Sequence, residues 1–258
     1  MEVNHVLEIV FLCAFAFLAG FVDSVAGGGG LIQLPALLIF FPHVPVASLL
    51  GTNKLASIAG TSFAVVQYGR HVGIDLRATL PATIAAFVLS FLGARTAAVL
   101  STEVMRTVVL ILLAIITVYT FVRKDFGSFH APKLTHSVQF VFSLAAGMTI
   151  GFYDGFFGPG TGSFLIFVFV SIFGFNFLSA SASAKLINFA TNMAAILYFA
   201  FTNNIIYHLA LPMAVFNILG SLAGTRLAIL KGSRFVRIFF LIVVVGMILK
   251  LCYDTISH

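Results

Sequence analysis

Two aspartates and two lysines carry charge where the surrounding sequence is almost wholly apolar. Asp23 and Lys54 belong to the first half of the chain, Asp154 and Lys185 to the second. Each aspartate stands four residues ahead of a helix-breaking run, Gly27 to Gly30 in one half and Gly158-Pro-Gly-Thr-Gly162 in the other. An ionised side chain at mid-membrane costs about 2.5–3.5 kcal/mol on insertion scales. Four such groups at matched positions point to use rather than accident. The lysines supply positive charge. A helix that restarts after a glycine break adds free N–H groups and roughly half a positive charge at its N-terminus. Two restarts beside two ammonium groups form an anion site.

Polar neighbours fill in that site. The expected substrate-binding residues are Lys54, Lys185, Asn53, Thr52, Gly28, Gly29, Gly30, Gln33, Gly160, Thr161, Gly162, Ser183, Asn188 and Asn192. Ser24, Ser57 and Ser181 belong to the same two polar clusters. Asp23 and Asp154 are the expected coupling residues, as carboxyls that move a proton with the substrate. Plainer uses stand beside these. A lysine near a helix end snorkels to headgroups, and small residues let membrane helices approach closely. The aspartates can pair with the lysines, cap broken helix ends, or form a sodium site with backbone carbonyls.

Other chemistry finds no footing. His71, His130, His136 and His208 form no metal-binding pair, and Cys13 and Cys252 no CxxC, so no metal and no cofactor is expected. No nucleophile–base set is visible, so the chain does not read as an enzyme. The +6 net charge comes without a basic stripe interleaved with aromatics, which excludes nucleic acid as a partner.

The elements that must position these residues are membrane helices. Of 258 residues, 60% are hydrophobic and 9% charged, and the mean hydropathy is +1.12. A soluble domain carries about a quarter charged residues, so the chain reads as an all-α polytopic membrane protein. Apolar runs cover about Val6–Ala26, Leu31–Phe41, Ala47–Tyr68, Leu76–Leu100 and Val104–Val122, then Ser137–Phe157, Phe164–Phe173, Ser183–Thr202, Tyr207–Leu230 and Phe235–Cys252. A constant offset of 131 carries Asp23 onto Asp154, Lys54 onto Lys185, Pro81 onto Pro212 and Arg95 onto Arg226. Residues 6–122 thus form a first repeat and 137–252 a second, joined by a loop at 123–136, in one membrane domain. Duplication of this kind is common among secondary transporters.

Loop charges give the orientation. The second run of each half is too short to span a ~30 Å hydrocarbon core unaided, so it forms a re-entrant hairpin with the first, a second span, or part of one broken span. With an odd number of crossings per half, Arg70, Arg77, Arg123, Lys124, Lys133, Arg226, Lys231, Arg234 and Arg237 share one side, against Arg95, Arg106 and Lys250. The positive-inside rule favours that count. It predicts two inverted-topology repeats of about five segments, with both termini outside.

The motif Gly20-Phe-Val-Asp-Ser-Val-Ala-Gly-Gly-Gly-Gly30 with Pro35, then Gly51-Thr-Asn-Lys54 and Gly151-Phe-Tyr-Asp-Gly-Phe-Phe-Gly-Pro-Gly-Thr-Gly162, resembles the sulfite exporter TauE/SafE family, or toluene sulfonate uptake permeases. The resemblance extends from about residue 8 to 252. It implies a prokaryotic cell-membrane (inner-membrane) carrier of sulfur-containing anions such as sulfite or organosulfonates, often an exporter. By matched position it implies site roles for Asp23, Gly27 to Gly30, Asn53, Lys54, Asp154, Gly158 to Gly162 and Lys185. The expected function is a secondary transporter working by alternating access. The alternatives are a cation-binding transporter using Asp23 and Asp154, and a passive anion channel. Its partners would be a small anion and the lipid bilayer, with a homo-oligomer left open.

Overall fold

The computed structural model describes residues 2–105, 107, 108, 111 and 135–256, with side chains left aside at residues 2–6, 136, 233, 234, 236, 237 and 239–256. Most of the expected run Val104–Val122 and of the 123–136 loop lies outside the described residues, as does Arg106. Every regular element among the described residues is a helix. They are α1 (Glu2–Ala26), α2 (Gly30–Phe40), α3 (Val46–His71), α4 (Leu76–Val99), α5 (His136–Phe156), α6 (Thr161–Ser171), α7 (Phe177–Phe201) and α8 (Tyr207–Ile256). In α8 the helix breaks at Gly232, where φ is 71° and ψ −170°. The starts of α2 and α6, α3 and α7, and α4 and α8 each differ by 131 residues.

Among the described residues, four stretches are long and apolar enough to cross a membrane: Leu7–Ala26, Leu76–Val99, Phe177–Phe201 and Tyr207–Gly232. The helices α2 and α6 have 11 residues each, about 16 Å at 1.5 Å per residue, half of a bilayer core. Each runs back along the helix before it. Phe40 stacks on Phe11 with ring centroids 6.2 Å apart, and Leu12 and Ala16 share a core with Ala36 and Leu37. The arrangement is a hairpin folded at the glycine break.

Repeat-related helices oppose one another. The start of α3 meets the end of α7, where Ser48 Oγ donates to Asn204 Oδ1 at 3.2 Å and the Ile206 N–H donates to Thr52 Oγ1 at 3.0 Å. The end of α3 meets the start of α7, since Tyr68 shares one buried core with Phe177 and Ala180. Thus α3 and α7 are antiparallel. Exposed Arg70, Arg77 and Arg226 lie toward the Tyr68 end and exposed Arg95 toward the other.

The packing bodies are not the sequence halves. The helices α1 and α3 pack on α8, with α2 against α1 and α3, whereas α5 and α7 pack on α4, with α6 against α5 and α7. Glycine makes both exchanged seams close. A Cβ on Gly20 or Gly220 would strike the facing backbone at Asn217 or Phe17, and one on Gly151 or Gly155 would strike Ala86 or Ser90. Each body therefore holds three helices of one half and the fourth helix of the other. Large apolar side chains such as Phe11, Ile84, Val141 and Leu211 point outward, as they do when the surrounding solvent is lipid.

Candidate functional site

The two glycine breaks meet at the centre. Gly27 has φ +79°, a left-handed conformation, and a Cβ there would land on the backbone of Gly162. The contact is also hydrogen-bonded. The Ser163 N–H donates to Gly27 O at 3.1 Å, and Ser163 Oγ donates to Ala26 O at 2.9 Å. Gly158, at φ +96°, lies so close to Lys54 that an added Cβ would stand 2.8 Å from Nζ. Glycine is required at Gly27 for both conformation and backbone approach, and at Gly158 for its left-handed conformation.

Both lysines are buried, and each is matched by the aspartate of the other half. Lys185 Nζ, 0% exposed, donates to Asp23 Oδ2 at 2.7 Å. Lys54 Nζ, 3% exposed, lies 2.8 Å from Asp154 Oδ2 but off a hydrogen-bonding angle, which leaves that oxygen held by charge alone. Adding 131 converts the pair Asp23–Lys185 into Asp154 and residue 316, beyond the chain, whereas exchanging the halves converts it into Asp154–Lys54. The two pairs are thus equivalent by exchange, and both bridge the two packing bodies. Removing one partner of such a pair leaves a buried charge, a loss of about 3–5 kcal/mol.

Between the pairs lies a polar cavity of about 30 Å³, room for about two water molecules. Its lining includes Asp23, Gly27 and Gly30 from the first hairpin and Asp154, Gly158, Gly160, Thr161 and Gly162 from the second. Asn53, Ser57 and Thr61, one per turn of α3, and Asn188 and Asn192 of α7 complete it. Asn53 and Asn188 are 3% and 5% exposed, and each carries a side-chain oxygen without a hydrogen-bond partner.

Twelve of the residues singled out in the sequence therefore line one cavity: Asp23, Gly27, Gly30, Asn53, Ser57, Asp154, Gly158, Gly160, Thr161, Gly162, Asn188 and Asn192. The others stand elsewhere. Lys54 and Lys185 are behind the aspartates rather than in the lining. Thr52 donates to Ser48 O at 2.6 Å and accepts from Ile206 N, tying α3 to the start of α8. Gln33 donates to Asn53 O at 3.4 Å and accepts from Asn217 Nδ2 at 3.0 Å, inside the first body. Ser183 Oγ accepts from Thr79 Oγ1 at 2.9 Å in the seam of α7 with α4. Gly29 packs on Ala19 and Asp23, and neither it nor Gly28 lines the cavity. Thr61 is a lining residue that reading by composition missed. The repeat offset contained it, because Asn188 and Asn192 minus 131 give Ser57 and Thr61.

Buried charges at a helix break, in a membrane bundle of repeated helices, are the arrangement of a membrane transporter. The chain belongs to the sulfite exporter TauE/SafE family, whose family model matches residues 12–251. It is 36% identical over 250 residues to "Probable membrane transporter protein ORF9" of Sinorhizobium sp, covering 97% of this chain and 94% of that one. It is 36% identical over 240 residues to "Probable membrane transporter protein YfcA" of Escherichia coli (strain K12), covering 93% and 88%. A "Probable membrane transporter protein" of Haemophilus influenzae is 33% identical over 254 residues, with 98% of both chains covered. No solved structure matches.

Proposed function

We propose that this membrane transporter carries a small sulfur-containing anion, sulfite or an organosulfonate, out across the cell membrane by alternating access. The observation that carries the reading is the pair of buried ammonium groups, Lys54 and Lys185, each held against the cavity by a carboxylate of the opposite half. An anion entering the cavity can take the place of a carboxylate on its ammonium. The N-termini of α2 and α6 and the amides of Asn53, Asn188 and Asn192 then supply N–H donors around it. A cavity of about 30 Å³ is tight for a four-atom oxyanion, so loading requires the bodies to part. Movement runs between the body of α1, α2, α3 and α8 and the body of α4, α5, α6 and α7. Antiparallel α3 and α7 support inverted repeats, and Arg70, Arg77 and Arg226 support a cytoplasmic side at the Tyr68 end, with both termini outside.

A second reading is favoured by the lining itself. Both carboxylates and the unpartnered oxygens of Asn53 and Asn188 suit a hard cation, whereas neither lysine reaches the surface of the cavity. Ligand-dependent unfolding of the purified protein separates the two. The anion reading expects sulfite or methanesulfonate to raise the melting temperature, and sodium at equal ionic strength to leave it unchanged. The reverse pattern hands the site to a cation. A flux that fails to saturate with anion concentration identifies a passive channel.

A further inference from the structure

The four charges of the two ion pairs sum to zero, and that balance constrains what can bind. Lys185 is 0% exposed, and its bond to Asp23 Oδ2 is 2.7 Å long. The Asp23 side chain is 23% exposed and lines the cavity, whereas Lys185 does not. An anion therefore reaches Lys185 only by displacing the Asp23 carboxylate. The displaced carboxylate would then face the anion at close range, in a cavity with room for about two water molecules and with no cation of its own. Like charges in that position exclude one another.

We propose that anion binding at Lys185 is coupled to protonation of Asp23, so that the site takes up one proton with each anion. The inference rests on the anion reading above. Its balance is closed: before binding, the site holds Lys185 ammonium and Asp23 carboxylate; afterwards it holds Lys185 ammonium, the bound anion and a neutral Asp23 carboxylic acid. The proton comes from water reaching the cavity and forms one O–H bond on Asp23. No other bond changes.

Asp23 rather than Asp154 fills this role because of access. The Asp154 side chain is only 5% exposed, and Gly158 closes over its partner Lys54. The titratable groups facing Asp23 are Lys185 from α7, Asp154 from α5 across the shared cavity, and Tyr68 from α3, whose hydroxyl donates to the neighbouring Ser24 O at 2.8 Å. Those facing Asp154 are Lys54 from α3 and Tyr153 of its own helix. The helices α2 and α6 contain no ionisable side chain, and Arg226 on α8 is exposed. With a monoanion the loaded and unloaded sites carry equal charge. Transport then follows the combined anion and proton gradients, outward when the internal anion excess outweighs the pH difference.

The test is calorimetric titration of the purified full chain with methanesulfonate, whose charge stays fixed, between about pH 5 and pH 8. In the wild type the affinity is expected to fall by up to about tenfold for each unit of rising pH, the slope of one linked proton. In Asp23→Asn it should become independent of pH. If that variant does not fold, the wild type still decides the matter, because binding in weak buffer must consume one proton per anion. Saturable wild-type binding with no pH slope and no proton uptake overturns the coupling and leaves the anion reading in place. Binding that follows sodium instead of pH overturns it in favour of a metal cation. A folded wild type that binds neither methanesulfonate nor sulfite at any pH overturns the anion reading, and the coupling with it.

Discussion

Lys185 is held in the interior by one carboxyl oxygen from the other half of the chain, and the stability of the protein depends on that match. Replacing Lys185 with Met strands the Asp23 charge and should cost about 3–5 kcal/mol. The double variant Lys185→Met with Asp23→Leu should recover most of that loss, since an apolar replacement of both partners removes the desolvation cost as well as the attraction. Thermal unfolding in one detergent checks both, and equal melting temperatures for the single and double variants would contradict the pairing. At this scale the sequence shows which groups matter and not how they face. Spacing along the chain places Lys54 and Asp23 in one half, whereas the pairs form across the halves. The polar cluster around Asn53 is visible in composition, but Thr52 turns to the start of α8 and Gln33 into the first body. Which face of a helix meets the cavity depends on neighbours distant in sequence.

The elements show a similar division. Helix starts, the short second helix of each half and the glycine breaks are all legible, because breakers and apolar lengths are local properties. Pro81 and Pro212 fall at the sixth residue of α4 and α8. The crossing of the breaks is a tertiary fact and yields a sharp comparison. Gly27 and Gly73 have nearly the same left-handed φ, +79° and +76°, but a Cβ on Gly27 meets the Gly162 backbone and one on Gly73 meets nothing within 4 Å. Gly73→Ala should therefore cost only the strain of conformation, about 1–2 kcal/mol. Gly27→Ala should cost more than that and abolish transport, because both breaks would have to separate. Similar melting temperatures for the two variants would show that the breaks do not meet.

Across the whole molecule, the exchange of α4 and α8 between the bodies joins the halves more tightly than a tandem repeat requires. Nothing local reports it. An apolar fourth helix packs equally well on its own half by composition, and only the facing small residues (Gly151 and Gly155 on Ala86 and Ser90, Gly20 and Gly220 on Asn217 and Phe17) select the partner. Residues 1–133 expressed alone lack α8, and residues 134–258 alone lack α4. Each fragment should fail to fold by itself, whereas the two co-expressed should purify together as a complex. A stable monomeric fragment would mean that each half keeps its own fourth helix.

The same bodies are bridged by both ion pairs, so the lysines stand at the proposed moving interface and beside the proposed anion site. The most direct measurement is efflux of labelled sulfite from loaded proteoliposomes, comparing the wild type with Lys54→Ala and Lys185→Ala at equal reconstituted amounts. The account predicts saturable efflux in the wild type and a fall of about tenfold or more in each variant, the loss expected when a buried charge-assisted contact worth 1.4 kcal/mol or more disappears. Wild-type rates in both variants would contradict it.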